Sequence, residues 1–127
     1  MANRTGKIKI LIVDDLEFMR SAIREILTAH GNFSIDEAEN GEAGVTRYKI
    51  FRPDVVLMDI TMPVMDGIKA LASIRAFNTN ARVIMCSALG QEEYILKSIQ
   101  LGAKDFIVKP FRPERITSAI NKVLQRR

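Results

Sequence analysis

The chain has 127 residues, 47% hydrophobic and 27% charged, which is enough for one globular domain with a single core and too little for a second. Its net charge of +4 raises the question of a nucleic-acid partner, but Lys and Arg are scattered. They form small clusters only at Arg4, Lys7 and Lys9 and at Arg126 and Arg127, with no groove-reading motif or interleaved aromatics, so nucleic acid is set aside as a partner.

No apolar run approaches the ~20 residues that cross a bilayer. Met1 to Lys9 also lacks an apolar signal core, so the expected location is the cytoplasm, with no membrane partner. Ile8 to Val13 reads as a strand and ends in Asp14-Asp15. Met19, Ala22, Ile23, Ile26 and Leu27 then recur at helical spacing, forming the apolar stripe of a helix that Gly31 ends, with His30 solvated at its end. Phe33 to Ala38 mixes polar residues into its alternation, as a strand at a sheet edge does. A short helix from about Glu42 to Phe51, striped by Gly44, Tyr48 and Phe51, is stopped by Pro53.

Val55-Val56-Leu57-Met58-Asp59 reads as a buried strand closing abruptly on a carboxylate. Pro63 and the Asp66-Gly67 pair turn the chain at once and leave Asp59 on a rim, and Asp66 is the expected N-cap of a helix through Ile68, Leu71 and Ala72. The fourth strand, Val83 to Cys86, carries the lone cysteine, expected as a buried thiol because a catalytic one would want a histidine partner. Ser87-Ala88-Leu89-Gly90 leads into a helix bearing Ile95 and Ile99, a stripe thin enough to leave surface for a partner. Phe106-Ile107-Val108 forms the fifth strand and ends at Lys109-Pro110. The last helix aligns Ile116, Ala119, Ile120, Val123 and Leu124 on one face.

Strands alternating with helices predict an α/β fold, a five-stranded parallel sheet doubly wound with helices on both faces. Right-handed crossovers bring every strand's C-terminal end to one edge, which then collects Asp14, Asp15, Asp59, Ser87 and Lys109. Carboxylates so crowded repel, and a bound cation is the economical remedy. Mg²⁺ suits oxygen ligands, whereas the His and Cys ligands preferred by zinc are absent from this set. Asp59 is then placed to attack phosphorus and form an aspartyl phosphate, while Mg²⁺ and Lys109 offset the phosphoryl charge and Ser87 donates a hydrogen bond. Singly, Asp14 or Asp15 reads as well as a helix N-cap, Ser87 as a turn residue and Lys109 as a solvated charge; only their convergence at the ends of four strands makes a site.

The same residues carry a resemblance. Ile12-Val13-Asp14-Asp15, Met58-Asp59-Ile60-Thr61-Met62-Pro63 with Asp66-Gly67, Cys86-Ser87-Ala88, and Gly102-Ala103-Lys104-Asp105-Phe106-Ile107-Val108-Lys109-Pro110-Phe111 resemble the receiver domain of two-component response regulators, and within it the single-domain chemotaxis regulators. The resemblance covers nearly the whole chain and implies a flavodoxin-like (βα)5 fold with strand order 2-1-3-4-5. It implies one receiver domain over residues 1–127 with no output domain, since only Gln125-Arg126-Arg127 follow the last helix.

It further implies that Asp59 accepts phosphate from a histidine kinase, and that Asp14, Asp15, Asp59 and the backbone carbonyl of Thr61 hold Mg²⁺. Lys109, joined to Pro110 by a cis peptide, would contact the phosphoryl group. Ser87 and Phe106 would form the switch: phosphorylation draws the hydroxyl inward, the ring turns into the vacated space, and the face of the fourth helix, fifth strand and fifth helix changes toward a downstream protein. Phe106 stands where the chemotaxis prototype has tyrosine, so burying the ring gains apolar contact without a hydrogen bond, and Ser87 replaces threonine, keeping the donor but losing a methyl. Thr61 and Leu89 occupy positions that tune phosphate lifetime in this family.

The expected function is a phosphorylation-activated regulator of two-component signalling, in chemotaxis, that catalyses only its own phosphorylation and dephosphorylation. The alternative is a phosphorelay intermediate or a regulator of a non-motility partner. An aspartyl phosphatase of the haloacid dehalogenase kind would want a second Asp where this chain has Thr61. A flavodoxin-like cofactor carrier would want a hydroxyl- and glycine-rich loop where Asp14-Asp15-Leu16-Glu17 repels phosphate.

Overall fold

The computed structural model describes residues 6–125, so Arg4, Arg126 and Arg127, part of the basic clusters noted above, lie outside the described residues. Strand and helix alternate along the chain: β1 (Ile8–Val13), α1 (Glu17–His30), β2 (Phe33–Ala38), α2 (Gly41–Phe51), β3 (Val55–Asp59), α3 (Gly67–Phe77), β4 (Val83–Ser87), α4 (Glu92–Gln100), β5 (Asp105–Val108) and α5 (Pro113–Gln125). The five strands form one sheet in the order β2-β1-β3-β4-β5, every pairing parallel. Periodicity foresaw the parallel sheet, and the family resemblance supplied its order.

Register is what positions the site. Val13 lies opposite Met58, so Asp14 and Asp59, the next residues along the two strands, reach the sheet edge at one level. Asp59 lies opposite Cys86 and Ser87 opposite Val108, which puts the hydroxyl one step further out than Asp59 and Lys109 two steps.

The strands between the edges are buried on both faces, hence their unbroken apolar runs. Successive residues feed two cores: Leu11, Val56, Met58 and Met85 pack with Tyr48, Leu71 and Ile74, whereas Ile10, Ile12, Leu57 and Ile84 pack with Ile23, Leu27, Ile116 and Ile120. Two helices are rotated from the expected stripe, because Ala22 and Ala72 are exposed. A methyl group buries too little area to fix a helix's rotation, so Ile23 and Leu27 orient α1, and Leu71 and Ile74 orient α3. Strand β2 is the half-buried edge its mixed pattern announced, and α2 ends at Phe51 with Arg52 in the left-handed region ahead of Pro53.

The β3–α3 connection is tightly held. Asp66 accepts from Lys69 N at 2.9 Å, the expected N-cap. A Cβ on Gly67 would run into the Asp59 carbonyl oxygen, so only glycine lets α3 start this close beneath the end of β3. Before it, Val64 adopts φ 69° while its side chain stays in solvent, a β-branched residue in left-handed backbone with no packing to offset the cost. Val64→Asn is therefore expected to stabilise the protein by about 1 kcal/mol. The readout is a higher urea midpoint at unchanged slope; an unchanged or lower midpoint would show that Val64 is held there at no cost.

Candidate functional site

The ends of β1, β3, β4 and β5 bring together the five side chains singled out in the sequence. Asp14, Asp15 and Asp59 each offer a carboxylate oxygen, and these oxygens lie within 4.8 Å of one another. Lys109 Nζ donates to Asp14 Oδ2 at 3.0 Å and to Asp59 Oδ1 at 3.2 Å, and the Lys109-Pro110 peptide is cis. Ser87 is fully buried at the end of β4, and its Oγ has no hydrogen-bond partner. A buried hydroxyl without a partner is costly, and such groups mark places where something else is meant to bind or move.

The two acids after β1 play different parts. Asp14 is buried, accepting from Leu16 N at 2.9 Å through Oδ1 while its own amide donates to Ala38 O at 3.1 Å. It does not cap α1, whose N-cap position is Leu16 with no side-chain bond. Asp15 is exposed and carries none of this scaffolding.

Burial pushes the Asp59 carboxyl up from 3.8 to about 6, with Lys109 opposing the rise and Asp14 and Asp15 adding to it. Mutual repulsion, the effect foreseen from sequence, is therefore secondary to loss of water. For Lys109 burial alone would lower the pKa, but the bond to Asp14 and the charge of Asp59 outweigh it and hold the ammonium above its usual range. Cys86, beside Asp59 in register, is pushed up to about 12 by burial, and its thiol belongs to the core on the α1/α5 side rather than to the donor set. The carboxylates are thus a hard, all-oxygen group compatible with a divalent cation that prefers oxygen.

Four supporting residues, Arg20, Arg24, Glu37 and Gln91, were not foreseen as such from the sequence. Arg20 donates from Nη1 to the Asp14 carbonyl at 2.7 Å and from Nε to Glu37 at 2.9 Å, while Arg24 Nε reaches the other Glu37 oxygen at 2.6 Å. Burial would raise the Glu37 carboxyl, but bonds from Arg24 and Arg20 hold it below its usual value. The only signal was Glu37 interrupting the apolar alternation of an edge strand. Gln91 accepts from Ala88 N at 2.7 Å and donates to Thr61 Oγ1 at 2.8 Å, spanning the loops after β3 and β4.

The expected switch region also has a definite shape. Phe106 is half-buried at the edge strand β5, and beside it a groove of about 390 Å³ is lined by Leu89, Ile95, Leu96, Ile99, Phe106 and Val108. Leu89, Tyr94, Leu96 and Ile99 are largely exposed, the unburied apolar surface that the thin stripe of α4 predicted.

Comparison with known proteins agrees with this geometry. A family model described as the response regulator receiver domain matches residues 10–121. A chemotaxis protein CheY of Bacillus subtilis is 55% identical over 116 residues, covering 91% of this chain and 97% of that protein. One from Thermotoga maritima is 50% identical over 115 residues, covering 91% and 96%. Among solved structures, a chain of the CheX-CheY-BeF3-Mg²⁺ complex from Borrelia burgdorferi superposes with a TM-score of 0.90 at 42% identity, covering 98% of this chain and 96% of that one.

Proposed function

The chain belongs to the response regulator receiver domain family, and on that premise we propose that Asp59 takes a phosphoryl group from a histidine kinase in a Mg²⁺-dependent reaction that switches a protein-binding surface. The observation that carries this reading is the meeting, at one sheet edge, of three clustered carboxylates, a lysine bonded to two of them and a buried hydroxyl with no partner.

Asp14, Asp15, Asp59 and the Thr61 carbonyl are the groups proposed to hold the ion. When bound, Mg²⁺ supplies charge neutralisation for the carboxylates and for the incoming phosphoryl oxygens. An Asp59 oxygen forms the bond to phosphorus as the bond to the donor's imidazole nitrogen breaks, and that nitrogen keeps the electron pair. Lys109, already within 3.2 Å of Asp59, shifts from pairing with carboxylates to pairing with a phosphoryl oxygen. Ser87 donates to another, gaining the partner it lacks, and the space it leaves admits the Phe106 ring. The groove beside Phe106 then changes shape, which is how the event at Asp59 is read by a downstream protein.

Leu89 and Thr61, both exposed, are the residues proposed to govern the access of hydrolytic water. The chain acts on no external substrate in this reading and catalyses only its own phosphorylation and dephosphorylation. The proposed site of action is the cytoplasm; among the described residues no helix is long and apolar enough to cross a membrane.

Chemotaxis is the favoured pathway because the relatives named above are chemotaxis proteins; relay to a histidine of another protein is the competing one. The complex from Borrelia burgdorferi, which holds Mg²⁺ and BeF3 with a protein partner, supports both the ion and the docking. Incubation with Mg²⁺ and a small-molecule phosphodonor is expected to add one phosphoryl group, seen by intact mass, and Asp59→Asn to abolish it. Equal labelling of Asp59→Asn would remove Asp59 from the mechanism.

A further inference from the structure

The residue at the N-cap position of α4 does not cap. Gln91 is a weak cap by residue type, and its side chain makes no bond to the first turn of its helix. It points back across the rim instead, with Oε1 accepting from Ala88 N and Nε2 donating to Thr61 Oγ1. Gly90, at φ +88°, supplies the left-handed backbone that folds the loop so that the amide of Ala88 comes within 2.7 Å of a side chain three residues later. A residue that breaks the local capping rule in favour of a contact across the site mouth marks functional constraint.

We propose that Gln91 is a positioning residue that latches the phosphoacceptor site in its resting state, tying the loop after β4 to the loop after β3. The inference rests on the receiver reading above. Ser87 must carry its buried, unpartnered hydroxyl to the phosphoryl group, and Ala88 is the next residue in the chain. Drawing Ser87 toward Asp59 takes the Ala88 amide away from Gln91, and the bond between Gln91 and Thr61 ties the departing loop to the residue two beyond Asp59. Each phosphorylation therefore breaks the Ala88–Gln91 hydrogen bond, and the latch favours the resting arrangement by the net worth of that bond.

The probe is BeF3 titrated at saturating Mg²⁺, with the Ala88 amide followed by NMR. Gln91→Ala is expected to tighten BeF3 binding about fivefold, the equivalent of one ordinary hydrogen bond. The affinity for Mg²⁺ alone should stay unchanged, and the resting Ala88 amide proton should move upfield. Thr61→Val, which keeps the backbone carbonyl but removes the hydroxyl, is expected to give a smaller gain, and the double variant no more than Gln91→Ala alone. Unchanged or weaker BeF3 binding by Gln91→Ala overturns the latch while leaving the receiver reading standing. Failure of the unsubstituted chain to bind BeF3 with Mg²⁺ overturns the receiver reading, and the latch with it.

Discussion

Mg²⁺ is expected to raise the melting temperature at neutral pH by on the order of 10 °C, and Asp15→Ala to remove that rise. A ligand present at a hundred times its dissociation constant stabilises the folded state by about 2.7 kcal/mol, and for a domain of this size each kcal/mol moves the midpoint by about 4 °C. The ion is attracted by three carboxylates whose oxygens are gathered within 4.8 Å, a group the unfolded chain does not present. Asp15 is the informative position because it is exposed and holds nothing else in place. Asp14 would confound the test, since its carboxylate also takes the Leu16 amide and Lys109. A melting temperature indifferent to Mg²⁺, or an Asp15→Ala chain that responds like the unsubstituted one, would dissolve the proposed ion site.

How much of this was legible in the sequence follows from which forces act locally. The strands were legible because burial on both faces leaves apolar runs, and the acids were legible because each one ended such a run at the same topological position. Helix rotation was less so: Ala22 and Ala72 fit the apolar spacing yet face solvent, since spacing records chemical type and not the small area a methyl contributes. Strand order rested on resemblance, because the alternation of periods is the same for any order. Gln91 was not legible at all, and Arg20 left no trace beyond Glu37 interrupting its strand's alternation. Each acts through a hydrogen bond between segments far apart in sequence, Arg20 with Glu37 and Gln91 with Thr61, and no local pattern records such a pairing.

These unforeseen residues explain how a crowded acidic rim coexists with a stable sheet. Arg20 fixes the carbonyl of Asp14 from behind, so the loop bearing both acids after β1 is braced by a guanidinium that itself rests on Glu37 of the edge strand. Lys109 neutralises the front of the cluster. Gly67 lets α3 begin against the backbone of Asp59. The site is therefore braced beneath, while above it the loop after Ser87 is held through Gln91, by bonds that a switch can break and remake.

Without metal, Asp59 itself is expected to destabilise the fold at neutral pH, so that Asp59→Asn is more stable than the unsubstituted protein in chelator by up to about 3 kcal/mol at pH 7.5. The sign follows from the carboxyl's rise from 3.8 to about 6, caused first by burial. Below pH ~4 both folded and unfolded chains hold the proton and Asp59 contributes nothing. Between ~4 and ~6 the unfolded chain releases its proton while the folded chain keeps it, so stability falls as pH rises, and above ~6 the full cost of the buried charge is present. Asparagine has no such charge. The advantage of Asp59→Asn should therefore be largest at pH 7.5, shrink through pH 6 and vanish near pH 4, read as the difference in urea midpoints with chelator present. Mg²⁺ should reverse the order, because only the unsubstituted chain keeps all three carboxylates for the ion. If Asp59→Asn is the less stable protein in chelator at pH 7.5, Lys109 more than compensates the buried charge, and the rim is not the strained acidic cluster on which its affinity for a cation depends.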